Sequence, residues 1–198
     1  MKNIFTPIPW IPLFFSAFLL FSCTRSTVDQ EQTFVISQLA KTDQKHFFQD
    51  QDFYPTPFNF IIDSNDEIHY YHWQAEGWDR TPPGSFTAPI FCNLTPWKTV
   101  QVPDDCIIDF LKTNVLQANG SRITIASQKD TIQSMGFARL YKFLTDSAPD
   151  VKFSIRYATF EENTVLYYKQ HKILYDPMKI EWDSTKVVFI QPTAVTQD

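Results

Sequence analysis

The amino-acid sequence predicts an α/β (α+β) two-layer sandwich, a mixed sheet with helices mainly on one face and a C-terminal βαβ unit. Three observations carry that expectation. Two β-rich runs, FNFII and EIHYYHW, flank the turn cluster Asp63-Ser64-Asn65-Asp66 and read as a hairpin. A strand, a helix and a strand succeed one another over 122–126, 130–145 and 151–159, and parallel pairing of the two strands implies a right-handed crossover. Between these units Ile107, Ile108, Phe110, Leu111 and Val115 form the apolar stripe of an amphipathic helix.

Taken in order, residues 24–30 read as a tether and 31–198 as a single α/β domain. Phe34, Ile36 and Leu39 recur at helical spacing and predict a helix over 28–42, extending toward 49 and ended before Pro55 and Pro57. After the hairpin, WQAEGWDRTPPGSFTAPIFCNLTPW holds prolines and no periodicity, so it reads as a long ordered loop with a strand near 86–92. Pro103 is suited to a first helical position, with Asp104 and Asp105 in the first turn, and Asn119-Gly120 ends that helix. SRITIAS is the next strand. Asp130 opens a helix whose apolar face is Ile132, Met135, Gly136, Leu140, Phe143 and Leu144, broken by Ser147-Ala148-Pro149. In VKFSIRYATF, apolar Val151, Phe153, Ile155 and Tyr157 alternate with Lys152, Ser154 and Arg156 as in a strand covered on one face. EENTVLYYKQ is a short helix, followed by a weak strand near 172–175, a firmer one at 186–191 and a frayed tail.

The leader is MKNIFTPIPWIPLFFSAFLLFSC, apolar from Ile8 to Phe21 apart from Pro9, Pro12 and Ser16. Such a core is short for a membrane span, which needs about 20 residues. Leu20-Phe21-Ser22-Cys23 resembles the lipobox of bacterial lipoproteins, with Ser22 before the cysteine and with Phe21 bulkier than the usual residue there. The resemblance covers residues 1–23 alone. It implies that residues 1–22 are a signal peptide, that the Cys23 thiol takes a diacylglyceryl group, and that Cys23 becomes the N-terminus. No Asp stands beside Cys23, which by the same resemblance implies an outer-membrane anchor facing the periplasm. Two or three acyl chains hold a protein firmly where one binds marginally. An uncleaved apolar helix and an ordinary cleaved signal are the rival readings.

Acylation of Cys23 leaves Cys92 and Cys106, a pair in an oxidising compartment. A Cys92–Cys106 disulfide would close a loop of about 15 residues, worth roughly 3 kcal/mol in the chain-entropy model. Two buried thiols acting as small hydrophobes are the alternative. Asp104 and Asp105 disfavour a nucleophilic Cys106.

The net charge is −5, and loss of Lys2 with a leader makes it more negative. Clustered Lys and Arg are lacking, which argues against a nucleic-acid interface. From Asp43 to Asp79 acids outnumber the single Lys45, so anionic headgroups would repel that stretch. The order of apolar segment and βαβ unit is similar in outline to the ExbD/TolR periplasmic domains of proton-driven energy transducers. Those carry a membrane-embedded Asp, and the apolar segment here has no acid.

HYYHWQAEGWD gathers His69, His72, Glu76 and Asp79. Zincin chemistry needs HExxH on a helix; here the histidines lie three apart on a strand and point to opposite faces unless a bulge intervenes. No metal or cofactor is expected, with His69, His72 and Glu76 the weak metal candidates. GxSxG, SxxK, HExxH and CxxC do not occur, and only 4 glycines leave no phosphate-cradling loop of the usual kind. Asp104-Asp105 and Glu161-Glu162 are the candidate carboxylate pairs for glycoside hydrolysis, but acids are expected at helix starts anyway. Arg122, Arg139 and Arg156 offer a basic spot for a carboxylate or phosphate. Tyr70, Trp73, Trp78 and Trp97, with Tyr71 and Phe86, crowd one region and form the candidate ligand surface. The leading expectation is a non-enzymatic, lipid-anchored envelope protein that binds another protein. A glycan- or solute-binding module using the aromatic 70–97 region and a small envelope hydrolase are the alternatives.

Overall fold

The computed structural model describes residues 32–42, 56–74, 89–118, 122–183 and 185–186. Strand β1 (Phe34–Val35) leads into helix α1 (Ile36–Thr42), so the helix expected over 28–42 starts at Ile36. Its first turn is held from elsewhere: the Asp130 carboxylate accepts from the Ser37 amide and hydroxyl, each at 2.8 Å.

The expected hairpin forms from β2 (Phe58–Ile62) and β3 (Ile68–His72), antiparallel with Phe58 opposite His72 and Ile62 opposite Ile68. Asp63 closes the turn by accepting from the amides of Asn65 and Glu67 at 2.8 and 3.0 Å, and Asp66 adopts a φ of 63°. Asp is among the residues that tolerate that left-handed geometry, and the Asp66 carboxylate is held by Lys129 and the Gln133 amide. Strand β4 (Val100–Val102) pairs antiparallel with β3. Pro103 is extended, with ψ at 141°, and caps a 3-10 turn (Asp104–Cys106) rather than opening an α-helix. Helix α2 (Ile107–Leu111) follows and widens into a π-helical turn over Lys112–Leu116.

The βαβ unit is present: β5 (Arg122–Ser127), the short β6 (Thr131–Ile132) that pairs with β1, α3 (Met135–Asp146), and β7 (Lys152–Tyr157) parallel to β5. Helix α3 starts at Met135 rather than at 130. Ser134 is its cap, accepting from the Phe137 amide at 3.1 Å, while Asp130 is engaged with Ser37 and with the Tyr157 hydroxyl. Helix α4 (Phe160–His171) begins in a capping box: Thr159 accepts from the Glu162 amide and Glu162 accepts from the Thr159 amide. It ends at Lys172, at a φ of 53°.

The sheet order is β4-β3-β2-β5-β7, with β2–β5 and β5–β7 parallel and the rest antiparallel, a mixed α/β sheet as predicted. On one face Phe58, Phe60, Ile62, Ile68, Ile123, Ile125 and Ile155 meet α1, α2 and α3. On the other, Ile61, Tyr71 and Ala126 meet Val165 and Leu166 of α4, together with Leu94 and Tyr175. Three helices thus share one face and α4 covers the second. This explains why β2 reads FNFII and is buried throughout: a strand covered on both sides does not alternate. Full burial of Phe137, Leu140 and Leu144 from α3 contributes about 1.5–3 kcal/mol each.

Residues 172–175 form no strand. The left-handed Lys172 turns the chain back along 91–97, where Tyr175 is held by its hydroxyl donating to the Leu94 carbonyl at 3.1 Å. The expected strand at 86–92 is reduced to an isolated bridge at Ile90 within its described part, and most of 186–191 lies outside the described residues. Cys23, Glu76, Trp78, Asp79 and Phe86 also lie outside them. Among the described residues no helix is long and apolar enough to cross a membrane.

Candidate functional site

The two histidines diverge as strand geometry requires. His72 sets its ring edge-on against Phe58, centroids 5.1 Å apart, on the edge of the α3 face. His69 is buried on the α4 face, where its Nε2 lies 3.1 Å from Asp63 Oδ2. The described members of the aromatic set do not form one surface either. Tyr70 is core, packed edge-on against Phe110 at 4.9 Å and tilted against Phe60 at 5.2 Å, and burial raises its hydroxyl pKa. Trp73 is half-buried beside the α4 cluster, while Trp97 is 70 % exposed.

The Cys92–Cys106 bridge is a correction: Cys92 is a free thiol. The two cysteines belong to opposite sides of the sheet. Cys92 sits at the α4 side, its amide donating to Glu161 Oε2 at 2.7 Å and its Sγ bonding the Ile90 carbonyl at 3.5 Å. Cys106 ends the turn that feeds α2 on the other side. Burial, reinforced by Glu161 and Glu162, pushes the Cys92 thiol well above its usual pKa, the reverse of what a nucleophile needs.

The arginines are dispersed. Arg122 starts β5 level with Lys152, and Arg139 donates to Asp105 Oδ1 at 2.7 Å and to the Asp104 carbonyl at 3.1 Å. Arg156 forks onto Glu162 with bonds of 2.7 and 2.9 Å. Glu162 also accepts from the Tyr71 hydroxyl at 2.8 Å and from the Thr159 amide at 2.7 Å. Burial pulls its carboxyl pKa up, but Arg156 and these donors outweigh burial and the net direction is down. Glu161, also buried, accepts from the Cys92 and Leu94 amides at 2.7 and 2.6 Å, and burial pushes it up to about 7. The acid pair is therefore taken up by fastening 91–95 and β7 to α4. The Asp104 side chain instead presses on the start of α3, where Gly136 leaves room for it.

Two features were not legible in the sequence. The first is an apolar face. Leu174 and Met178 are 87 % and 91 % exposed, Ile173 is also exposed, and the Trp97 ring stands 6.0 Å from that of Tyr175. Lys98, Lys172 and Lys179, each next in sequence to one of these residues, are exposed as well. Lys169 fixes its base by donating to the Pro96 and Thr99 carbonyls at 3.2 and 2.7 Å. The sequence signal was the run Ile173-Leu174, which reads equally well as a strand.

The second feature lies at the hairpin turn. Asp63, Glu67 and His69 present ligand atoms within 4.8 Å of one another. Gln170 of α4 reaches over to donate to Asp63 Oδ2 at 2.7 Å. This set shares only His69 with the one picked from sequence. The residues that join it precede the histidine across the turn instead of following it. A cleft of about 500 Å³ opens on the α3 side of the same turn, with Asp66, Glu67 and Asp104 in its lining. Asp66 is already engaged, accepting from Lys129 Nζ at 2.6 Å and from the Gln133 amide at 2.9 Å.

Comparison of the chain with family models, with curated proteins and with solved structures found no match to any of them.

Proposed function

We propose that this chain is a lipid-anchored cell-envelope protein, held to the outer membrane by acyl chains on Cys23 and facing the periplasm. Its folded part binds another envelope protein through Trp97, Ile173, Leu174 and Met178, and no catalysis is involved. The anchor rests on the resemblance of Leu20-Phe21-Ser22-Cys23 to a lipobox. The binding role is supported by one observation, the near-complete exposure of Leu174 and Met178 in the segment whose Tyr175 ring stands 6.0 Å from that of exposed Trp97. Grouped exposed apolar side chains mark interaction sites, and a tryptophan among them is a frequent anchor. The exposed lysines adjacent in sequence to these residues, on an otherwise acidic chain, favour a partner whose apolar pocket is edged with carboxylates.

The test is site-specific photocrosslinking in intact cells. A photoreactive residue at position 174 is expected to give one discrete protein adduct, weakened by Trp97→Ala, and the same probe at exposed Lys142 on α3 none. No adduct at 174, or equal adducts at both positions, removes the binding role. The anchor is tested separately by mass spectrometry of the purified protein. With Cys92 a free thiol, the sulfur atoms left to consider are those of Cys23 and Cys106. An N-terminus at Met1, an unacylated Cys23 or a Cys23–Cys106 disulfide each excludes the anchor.

A further inference from the structure

We propose that Asp63, Glu67 and His69 form a binding site for a divalent first-row transition ion of the Zn²⁺ class. Asp63 is 0 % and His69 2 % exposed, and the gap between His69 Nε2 and Asp63 Oδ2 is 3.1 Å. Ligands about 2.0–2.1 Å from a tetrahedral ion are separated from each other by about 3.3–3.4 Å. The buried pair already stands near the spacing that two ligands of one ion adopt. Glu67, exposed and within 4.8 Å, completes the set by a change of rotamer, and its exposure supplies the way in from solvent.

Two observations favour a cation over a closed hydrogen-bond network. First, Asp63 is anchored as a ligand should be: Oδ1 accepts from the Asn65 and Glu67 amides, and Oδ2 accepts from Gln170. Second, among the described residues no Lys or Arg pairs with Asp63 or Glu67, and the nearby Lys129 is engaged by Asp66 at 2.6 Å. A wholly buried carboxylate beside a second one is expensive without a compensating charge. One imidazole with two carboxylates suits Zn²⁺ or Mn²⁺ better than Mg²⁺ or Ca²⁺, which prefer oxygen throughout.

The experiment is equilibrium dialysis of the full chain against Zn²⁺ at neutral pH, with metal content read by elemental mass spectrometry and folding by circular dichroism. About one Zn²⁺ per chain is expected, with the apparent Kd raised at least about tenfold in Glu67→Gln and in His69→Gln. Glu67 is exposed, so Glu67→Gln decides the matter even where His69→Gln unfolds. Substoichiometric binding, or an affinity unchanged by Glu67→Gln, overturns the site. Equal uptake of Ca²⁺ at the same concentration overturns the assigned metal class. None of these outcomes depends on the state of Cys23.

Discussion

Glu161 makes the fold's stability fall as pH rises, which is unusual for a carboxylate. It is 3 % exposed, and burial lifts its carboxyl pKa from 4.5 to about 7. The folded chain therefore holds a proton that the unfolded chain has released. The stabilisation linked to that proton is complete below about pH 4.5 and is lost as pH climbs to about 7. A displacement of that size corresponds to about 3 kcal/mol across the interval, as an upper figure. Glu162, whose pKa moves down, acts in the opposite sense and at lower pH, so the two windows do not overlap. The assay is urea unfolding of wild type and Glu161→Gln at half-unit steps from pH 4.5 to 8. The amide has one acceptor oxygen for two backbone donors, the Cys92 and Leu94 amides, so the variant loses about 1–3 kcal/mol at every pH. Superimposed on that offset, the wild-type advantage should shrink by about 3 kcal/mol between pH 4.5 and 8. An advantage that stays constant or grows with pH shows that the two amide donors, and not burial, govern the ionisation of Glu161.

Gly136→Ala sets two opposing terms against each other. Alanine improves helix propensity by about 1 kcal/mol, but its Cβ would stand 2.5 Å from Asp104 Oδ1 and 2.8 Å from Ile68 Cδ1. Asp104 can swing into solvent and the buried Ile68 cannot, so a net loss of about 1 kcal/mol is expected in thermal unfolding. Asp130→Asn weakens the fastening of α1, since Asp130 is held below its usual pKa first by the Ser37 amide and then by the Tyr157 and Ser37 hydroxyls. Hydrogen exchange at the Ser37 amide should speed up, and in wild type the same protection should fade as pH drops through the acid range. Cys92 should resist iodoacetamide in the folded protein at neutral pH and react freely in urea, as peptide mapping would record.

The hairpin was legible because its signals were local: a β-rich run on each side of Asp63-Ser64-Asn65-Asp66, whose first side chain makes the turn. The βαβ unit was legible because strand and helix periodicities changed at clear breaks such as Ser147-Ala148-Pro149. The start of α3 was misread because Asp130 and Ser134 are both capping residues, and only the contact of Asp130 with Ser37 decides between them. The second layer made by α4 was hidden for a similar reason. Glu161 and Glu162 look like ordinary acids at a helix start, and their burial against Tyr71, Arg156 and the 92–94 segment depends on parts of the chain far apart in sequence. The turn cluster escaped notice because His69 comes beside Asp63 only once β2 and β3 are in register.

Strand β2 joins a neighbour made just after it, β3, to one made much later, β5, with Phe58 opposite both His72 and Ile123. During vectorial synthesis the hairpin and β4 are complete while one long side of β2 still waits for a partner. An unsatisfied strand edge of that kind is sticky, and closing it late is slow. A nascent chain halted before residue 122 is consequently a natural client for a holding chaperone, and truncations ending there should aggregate rather than persist as a smaller folded unit.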